Sequence, residues 1–450
     1  MNSVSQMFTN KNIGILGFGR EGKSIYTFLI KHDISPTQIV IYDERAHIAE
    51  LPVGVATHLG PFSADKLLKH DSIFVSPWLT LHMLAEKIWR ENLALLTPKL
   101  TSQTQHFFDQ YKWMVIWVTG TKGKSTISTL IYLMLKEAGK QVQLVGNIGK
   151  PVLDEIDLTN PPEIVVYELS SFMLEKLNKA HIHIGIINTL YPAHTKEHGS
   201  HDDYVAAKLK VLKMSDTALI GTQAAEIIDT KKIPQNSFFY GKTGKWTFHD
   251  GQFFESDKQL FTDQDILLLG EHNRHNICAV IGVCQSLNID LVHLQTVLKT
   301  FTGLEHRIEH VGTYGWIDRY NDAIATTPQA TIAAIETFKD ELETIFLGGS
   351  EGNYEFSWVT ALLEKYHIKN VILFPDTWPR IKELLDNTKY NIFETRSMQE
   401  AVQRAAQVTG KNKVALLSCG SPSFSLRSSY TEKGRLFKEA VRELGSVPNK

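Results

Sequence analysis

An apolar run, Trp113–Val118, leads through Thr119 into Gly120-Thr121-Lys122-Gly123-Lys124-Ser125-Thr126, and Ile127–Glu137 follows with amphipathic helical spacing. This order constrains the fold more than any other feature of the chain. It requires a buried strand whose carboxyl end opens onto a helix N-terminus, which is the layering of a parallel α/β sheet. The turn itself forms a phosphate cradle. Its backbone N–H groups and the helix N-terminus face an anion, Lys124 reaches the outer phosphates, and the Ser125 hydroxyl can hold Mg²⁺. The eight-residue P-loop pattern would need glycine at position 118, where Val118 stands, so the loop is a shorter form. The stretch predicts ATP binding, with Gly120–Thr126 as the cradle.

Strand-like and helix-like patterns alternate along the rest of the chain, which predicts an α/β protein of three domains. A Rossmann-like N-terminal domain is expected over 1–104, a central P-loop-type ATPase sheet over 105–303, and a Rossmann-like C-terminal domain over 304–450. Expected strands are Asn12–Leu16, Gln38–Tyr42 and Ser72–Val75 in the first block. The second block should hold Trp113–Val118, Gln141–Val145, Ile164–Tyr167, Ile184–Asn188 and Thr217–Ile220; the third, Glu343–Leu347, Val371–Phe374 and Lys413–Leu417. A formal net charge of −2 with scattered lysines and arginines supplies no field for nucleic acid or membrane. Cys278, Cys284 and Cys419 form no C-x-x-C pair, which fits a reducing compartment and argues against a disulfide framework or a zinc site. Met1–Asn12 is polar, and no apolar run would span a bilayer, so a cytoplasmic location is expected.

Gly17-Phe-Gly19-Arg20-Glu21-Gly22 lies between a strand and the helix Lys23–Lys31, and Asp43 closes the next apolar strand. Glycines here serve either a tight strand–helix turn on steric grounds or the approach of a diphosphate to the backbone. No hydride-transfer site follows, whereas an ATP loop does. Gly17, Gly19, Arg20, Glu21 and Asp43 therefore fit a diphosphate ligand in place of a redox cofactor, and the family resemblance drawn below implies that it is a UDP-sugar.

Other candidates surround the ATP loop. Glu168 ends the strand Ile164–Tyr167 and is well placed for Mg²⁺. His194 follows the strand Ile184–Asn188, while His198 and His201 read as solvated loop histidines. Lys208 has small apolar neighbours that should lower its pKa by desolvation, whereas Lys210 and Lys213 read as surface lysines.

Together these motifs resemble the Mur ligases. The short phosphate loop is also that of the folylpolyglutamate synthetases, which have no need of a separate glycine-loop domain. The resemblance covers nearly the whole chain through Gly146-Asn147-Ile148-Gly149, Glu168-Leu-Ser-Ser-Phe172, Ala206-Ala207-Lys208, Phe301-Thr-Gly-Leu with His306-Arg307, Leu347-Gly-Gly349, Leu416-Leu-Ser418, Ser421-Pro-Ser-Phe424 and Tyr430-Thr-Glu-Lys-Gly434. It implies ATP-dependent addition of D-glutamate to UDP-N-acetylmuramoyl-L-alanine through an acyl phosphate, in peptidoglycan precursor synthesis. It further implies two Mg²⁺ held with Ser125, Glu168, His194 and a carbamylated Lys208, and catalytic work by Lys124, His194 and Lys208. Asn276 would meet the adenine, Arg307 the nucleotide phosphates and Asp322 the ribose; the alternative for Asn273 is a cap on the helix Ile277–Gln285. Asn147, Ser423 and Tyr430 would contact the substrates, and a monomer acting on small molecules is implied.

Departures from the family pattern gather on the donor and acceptor sides. Trp78 replaces the glycine of S-P-G, Ala193 an aspartate, and Ile324 a lysine; Asn353 stands in a loop lacking its usual cation. Lys433, Arg427 or Arg435 are the candidates to compensate. The alternatives are another acceptor, such as L-glutamate or a neutral amino acid, and a nucleotide-binding relative without ligase activity.

Overall fold

The computed structural model describes residues 3–48, 50–147, 150–352, 354–423 and 429–446. Ile148, Gly149, Asn353, Phe424 and Arg427, all invoked from sequence, lie outside the described residues. The chain divides into two compact units, one of residues 1–265 with 272–297 and one of residues 266–271 with 298–450.

The first unit carries two sheets. Its N-terminal sheet is parallel, with strand order 3-2-1-4-5 built on Ile13–Leu16, Ile39–Asp43, Ala56–Leu59, Ser72–Val75 and Leu100–Thr101. Its nine-stranded sheet is centred on Met114–Thr119, which pairs in parallel with Ile164–Glu168 on one side and Ile182–Ile187 on the other. Val115–Thr119 is buried throughout, as an uninterrupted apolar run predicts for a strand covered on both faces. The register sets Glu168 beside Val118 and Ile187 beside Thr119. Both flanking strands therefore end at the phosphate loop, at the carboxyl edge where parallel sheets bind ligands.

The second unit holds a six-stranded sheet whose interior strands Ile317–Asn321, Lys413–Leu417, Leu342–Gly349 and Asn370–Asp376 are parallel. Helix Tyr430–Ser446 contributes Phe437 and Val441 to its core.

Every expected strand is present to within a few residues, but the helices begin earlier than their apolar periodicity suggests. The helix after the phosphate loop spans Lys124–Glu137 and the one after the glycine loop spans Arg20–Lys31. A first helical turn that faces a ligand site carries polar residues, so hydrophobic spacing cannot register it. The helix Glu271–Ser286 likewise contains Asn273, which therefore does not cap it. Four strands between Ser237 and Thr262 extend the central sheet and went unpredicted; the last two pair antiparallel as a short, partly exposed ribbon. Among the described residues no helix is long and apolar enough to cross a membrane.

Candidate active site

The phosphate loop adopts its shape because a neighbouring strand end braces it. Gly123 has φ +82°, and a Cβ there would lie 2.1 Å from Asn188 Nδ2 and 2.6 Å from Asn276 Oδ1. Asn188 Nδ2 donates to Lys122 O at 3.0 Å and to Asn276 Oδ1 at 2.9 Å, while its Oδ1 accepts from the Tyr240 hydroxyl at 2.8 Å. Thr121 N donates to Thr189 O at 2.7 Å, and Lys122 N to Thr189 Oγ1 at 2.9 Å. The loop is thus preorganised through a buried, satisfied polar network. Asn276 belongs to that network: its Nδ2 donates to Asn273 Oδ1 at 2.9 Å, so its amide turns inward behind the loop. Asn188, Thr189 and Tyr240 were not singled out from sequence. The available signal was that the predicted strand ending at Asn188 lies beside the ATP strand.

Lys124 begins the following helix, and its Nζ donates back to Gly120 O at 3.1 Å and Thr121 O at 3.2 Å. Ser125 is half-buried in the first turn, Thr126 is buried and Lys122 is exposed. Glu168 is fully buried; its carboxylate accepts from Asn147 Nδ2 at 2.9 Å and Ser128 Oγ at 3.4 Å. Lys208, on helix His201–Met214, is buried with Nζ donating to Thr119 Oγ1 at 3.2 Å and Gly120 O at 3.0 Å. Burial, and then Lys124, push its pKa well below the usual lysine range, against the opposing pull of Glu168. The desolvation expected from its neighbours is therefore present.

His194 adopts a left-handed conformation, φ +53°, and faces the same space. Burial lowers its pKa, with Glu197 opposing and Lys208 adding, so the neutral ring keeps a lone pair for a metal near pH 7. A buried carboxylate, a hydroxyl, a neutral imidazole and an amine held partly neutral form a donor set that fits Mg²⁺ once Lys208 carries a carboxylate.

Two of the residues read as surface groups are not. His198 is buried, with Nε2 2.9 Å from Ser171 Oγ and Nδ1 3.6 Å from Glu175 Oε1. Lys210 is half-buried, and its Nζ donates to Glu175 O at 2.6 Å and Leu177 O at 2.9 Å. Both side chains reach the segment 171–177, a placement that residue type alone does not reveal.

The N-terminal glycine loop opens onto the same space. Its glycines have different reasons. A Cβ at Gly22 would sit 2.2 Å from Gly17 O, so packing demands glycine there, whereas at Gly19 nothing of the chain lies within 4 Å. The steric reading therefore accounts for Gly22, and Gly19 faces open space. Asp43 accepts from Phe18 N at 2.8 Å and from the Arg45 guanidinium at 2.8 Å on each oxygen, which lowers its pKa to about 2. Gly19 and Arg20 line one cavity with Phe18, Lys23 and Arg45, of about 320 Å³, and a second with Gly120, Lys124 and Lys208, of about 300 Å³. The second cavity also takes in Glu21, Asn147, His194 and Tyr204. Desolvation raises the pKa of Glu21 to about 7, with Arg20 and Lys176 opposing.

In the second unit Asp322 is buried and accepts from Ser418 Oγ at 2.8 Å and Ile308 N at 3.3 Å. Arg307 is half-buried and Tyr430 exposed. Ser423 and Lys433 are buried; Ser423 Oγ has no hydrogen-bond partner among the described residues, and Lys433 lies beside the buried Cys419 thiol. Arg435, by contrast, pairs with Glu439 on the surface. A separate group, His181, His183 and Asp216, brings potential metal-ligand atoms within 4.8 Å of one another at the starts of two strands, at the end away from the phosphate loop.

Residues 118–284 match the family model of the Mur ligase middle domain, and residues 11–88 that of the Mur ligase MurD-like N-terminal domain. The UDP-N-acetylmuramoylalanine–D-glutamate ligase of Acetivibrio thermocellus is 28% identical, over 99% of this chain and 99% of its own. The UDP-N-acetylmuramoyl-L-alanine–L-glutamate ligase of Xanthomonas oryzae is 27% identical, over 97% of this chain and 96% of its own. The crystal structure of UDP-N-acetylmuramate-alanine ligase MurC from Thermotoga maritima shares the fold, with a TM-score of 0.60 at 18% identity over 96% of this chain and 100% of that one. A braced short phosphate loop facing Glu168, Lys208 and a second glycine loop, within a chain matched end to end by such relatives, leads to one assignment: this protein is a member of the Mur ligase family.

Proposed function

We propose that the chain joins D-glutamate to UDP-N-acetylmuramoyl-L-alanine at the expense of ATP, in peptidoglycan precursor synthesis. One observation carries this reading: the glycine loop and the phosphate loop, a hundred residues apart in sequence, line a single cavity together with His194 and Lys208. A donor held by the first loop can then present its carboxylate to a phosphoryl group held by the second.

In this reading residues 1–104 bind the donor, 105–303 bind ATP and 304–450 bind the amino acid. Gly17, Gly19, Arg20, Glu21 and Asp43 take the uridine diphosphate end, with Arg45 fixing the Asp43 carboxylate. Gly120–Thr126 cradle the triphosphate, and Lys124 leaves its loop carbonyls to meet the transferred phosphoryl group. Asn276 serves the nucleotide through the loop it braces, while Arg307 and Asp322 contact phosphates and ribose. Ser125, Glu168, His194 and a carbamylated Lys208 would hold two Mg²⁺, which supply charge neutralisation when bound. A donor carboxylate oxygen bonds to the γ-phosphorus as the bond to ADP breaks. The amino-acid nitrogen then attacks the acyl carbon, loses its proton, and phosphate leaves. Asn147 orients the donor. Ser423, Tyr430 and Lys433 hold the acceptor, with Lys433 supplying the cation missing at Asn353 and Ile324. We take the enzyme to act as a cytoplasmic monomer on small molecules, without nucleic-acid or membrane partners.

The test is ATP-dependent phosphate release with UDP-N-acetylmuramoyl-L-alanine and a panel of amino acids. Release with D-glutamate above all others is expected. Preference for L-glutamate supports the second reading, which the Xanthomonas relatives named for that acceptor favour. Nucleotide binding without turnover on any acceptor refutes both.

A further inference from the structure

Trp78 sits on the cavity wall in an unusual state for an indole. It is 69% exposed, yet it is not loosely held. Lys176 Nζ fastens the preceding carbonyl, Pro77 O, at 2.9 Å. The Trp78 ring leans on Phe172 with centroids 5.0 Å apart at 36°. Phe172 is buried and stacks on the buried His198 ring at 5.1 Å and 17°. An aromatic column thus rises from the interior and ends at the cavity, where its last member shows open apolar surface. Beside it and the apolar Pro77, Phe172 and Met173, the wall carries charged and hydroxyl groups: Arg20, Glu21, Ser76, Lys124, Ser170 and Lys208.

A braced indole loses little freedom when something covers it, so it makes an efficient binding surface. Its electron-rich face suits weakly positive C–H groups. The donor proposed above has two anionic parts, drawn to Arg20 at one end and to Lys124 at the other. Between them it carries a hexosamine ring, which is polar at its edges and presents C–H groups on its faces. Ser76, Pro77 and Trp78 line the same cavity as Arg20 and Lys124.

We propose that Trp78 is a stacking platform for the pyranose ring of the sugar-nucleotide donor and sets donor specificity. The inference rests on the donor reading above. It is tested by calorimetric titration of the full-length protein, W78F and W78A with UDP-N-acetylmuramoyl-L-alanine and, separately, with UDP alone. W78A should weaken the sugar nucleotide about tenfold or more, the scale of one aromatic contact with its buried area, and W78F should recover most of that loss. Affinity for UDP and the KM for ATP should not move. Equal donor binding by W78A and parent overturns the inference, as does an equal loss for UDP, which would place the effect at the diphosphate. A parent that binds UDP but gains nothing from the sugar refutes it too. A parent that binds neither refutes the donor reading itself.

Discussion

Glu21 offers a direct test of how the cavity treats charge. Its carboxyl is raised from 4.5 to about 7 because desolvation outweighs Arg20 and Lys176. Between those values the folded protein binds a proton that the unfolded chain has released. Stability contributed by this group is therefore fully present below pH 4.5 and is lost as pH rises through 7. A displacement from 4.5 to about 7 corresponds to about 3 kcal/mol at 1.36 kcal/mol per pH unit. Substitution Glu21→Gln keeps the shape and removes the titration. The variant should match the parent in acid and become the more stable protein as pH rises, with the gap widening by about 3 kcal/mol between pH 4 and pH 8. Urea unfolding at several pH values, followed by far-UV circular dichroism, measures this, and comparison with the parent at each pH cancels groups common to both. A gap that stays constant, or narrows with pH, refutes the claim that the cavity holds this carboxyl protonated. The functional corollary is that protonation of Glu21 removes a negative charge from beside Arg20, which favours an anionic donor below about pH 7.

Two other substitutions probe the rest of the machinery. Asn188→Ala removes the side chain that links Lys122 O, Asn276 and Tyr240; leaving such buried groups unpaired should cost about 2–4 kcal/mol and raise the KM for ATP, read by thermal unfolding and by ATP-dependent phosphate release. An unchanged KM for ATP would mean that the loop holds its shape without this brace. Lys433→Met should act in opposite directions, raising the stability of the free protein by replacing a buried polar head group beside Cys419 with an apolar one, and raising the KM for the amino acid about ten- to a hundredfold by removing its charged partner. A variant that loses stability, or keeps its acceptor KM, would show that Lys433 serves the fold alone.

Much of this was legible in the residues themselves. A glycine–lysine turn between an apolar run and an amphipathic stretch is the pattern of a phosphate loop, so the strand Met114–Thr119, the loop and the body of the helix from Ile127 followed from local sequence. The alternation of apolar runs with amphipathic stretches likewise specified α/β layers. Glu168 and Lys208 stood out as candidates because their segments match a family pattern. What hydrophobic periodicity missed were polar first turns, the edge strands beyond Ser237, and residues whose role depends on a distant partner. Asn188 braces Gly123 only because parallel pairing brings Ile187 beside Thr119. His198 and Lys210 read as surface groups, and only packing against Phe172 and Glu175 made them part of a wall.

The sequence by itself determined the kinds of chemistry available, because backbone cradles, carboxylates and amines are written residue by residue. Tertiary structure alone decided which of them share one space and in what protonation state. Convergence depends on strand order and register, and the altered acidity of Glu21 and Lys208 depends on how much water the surrounding chain removes. Neither is a property of any segment taken alone.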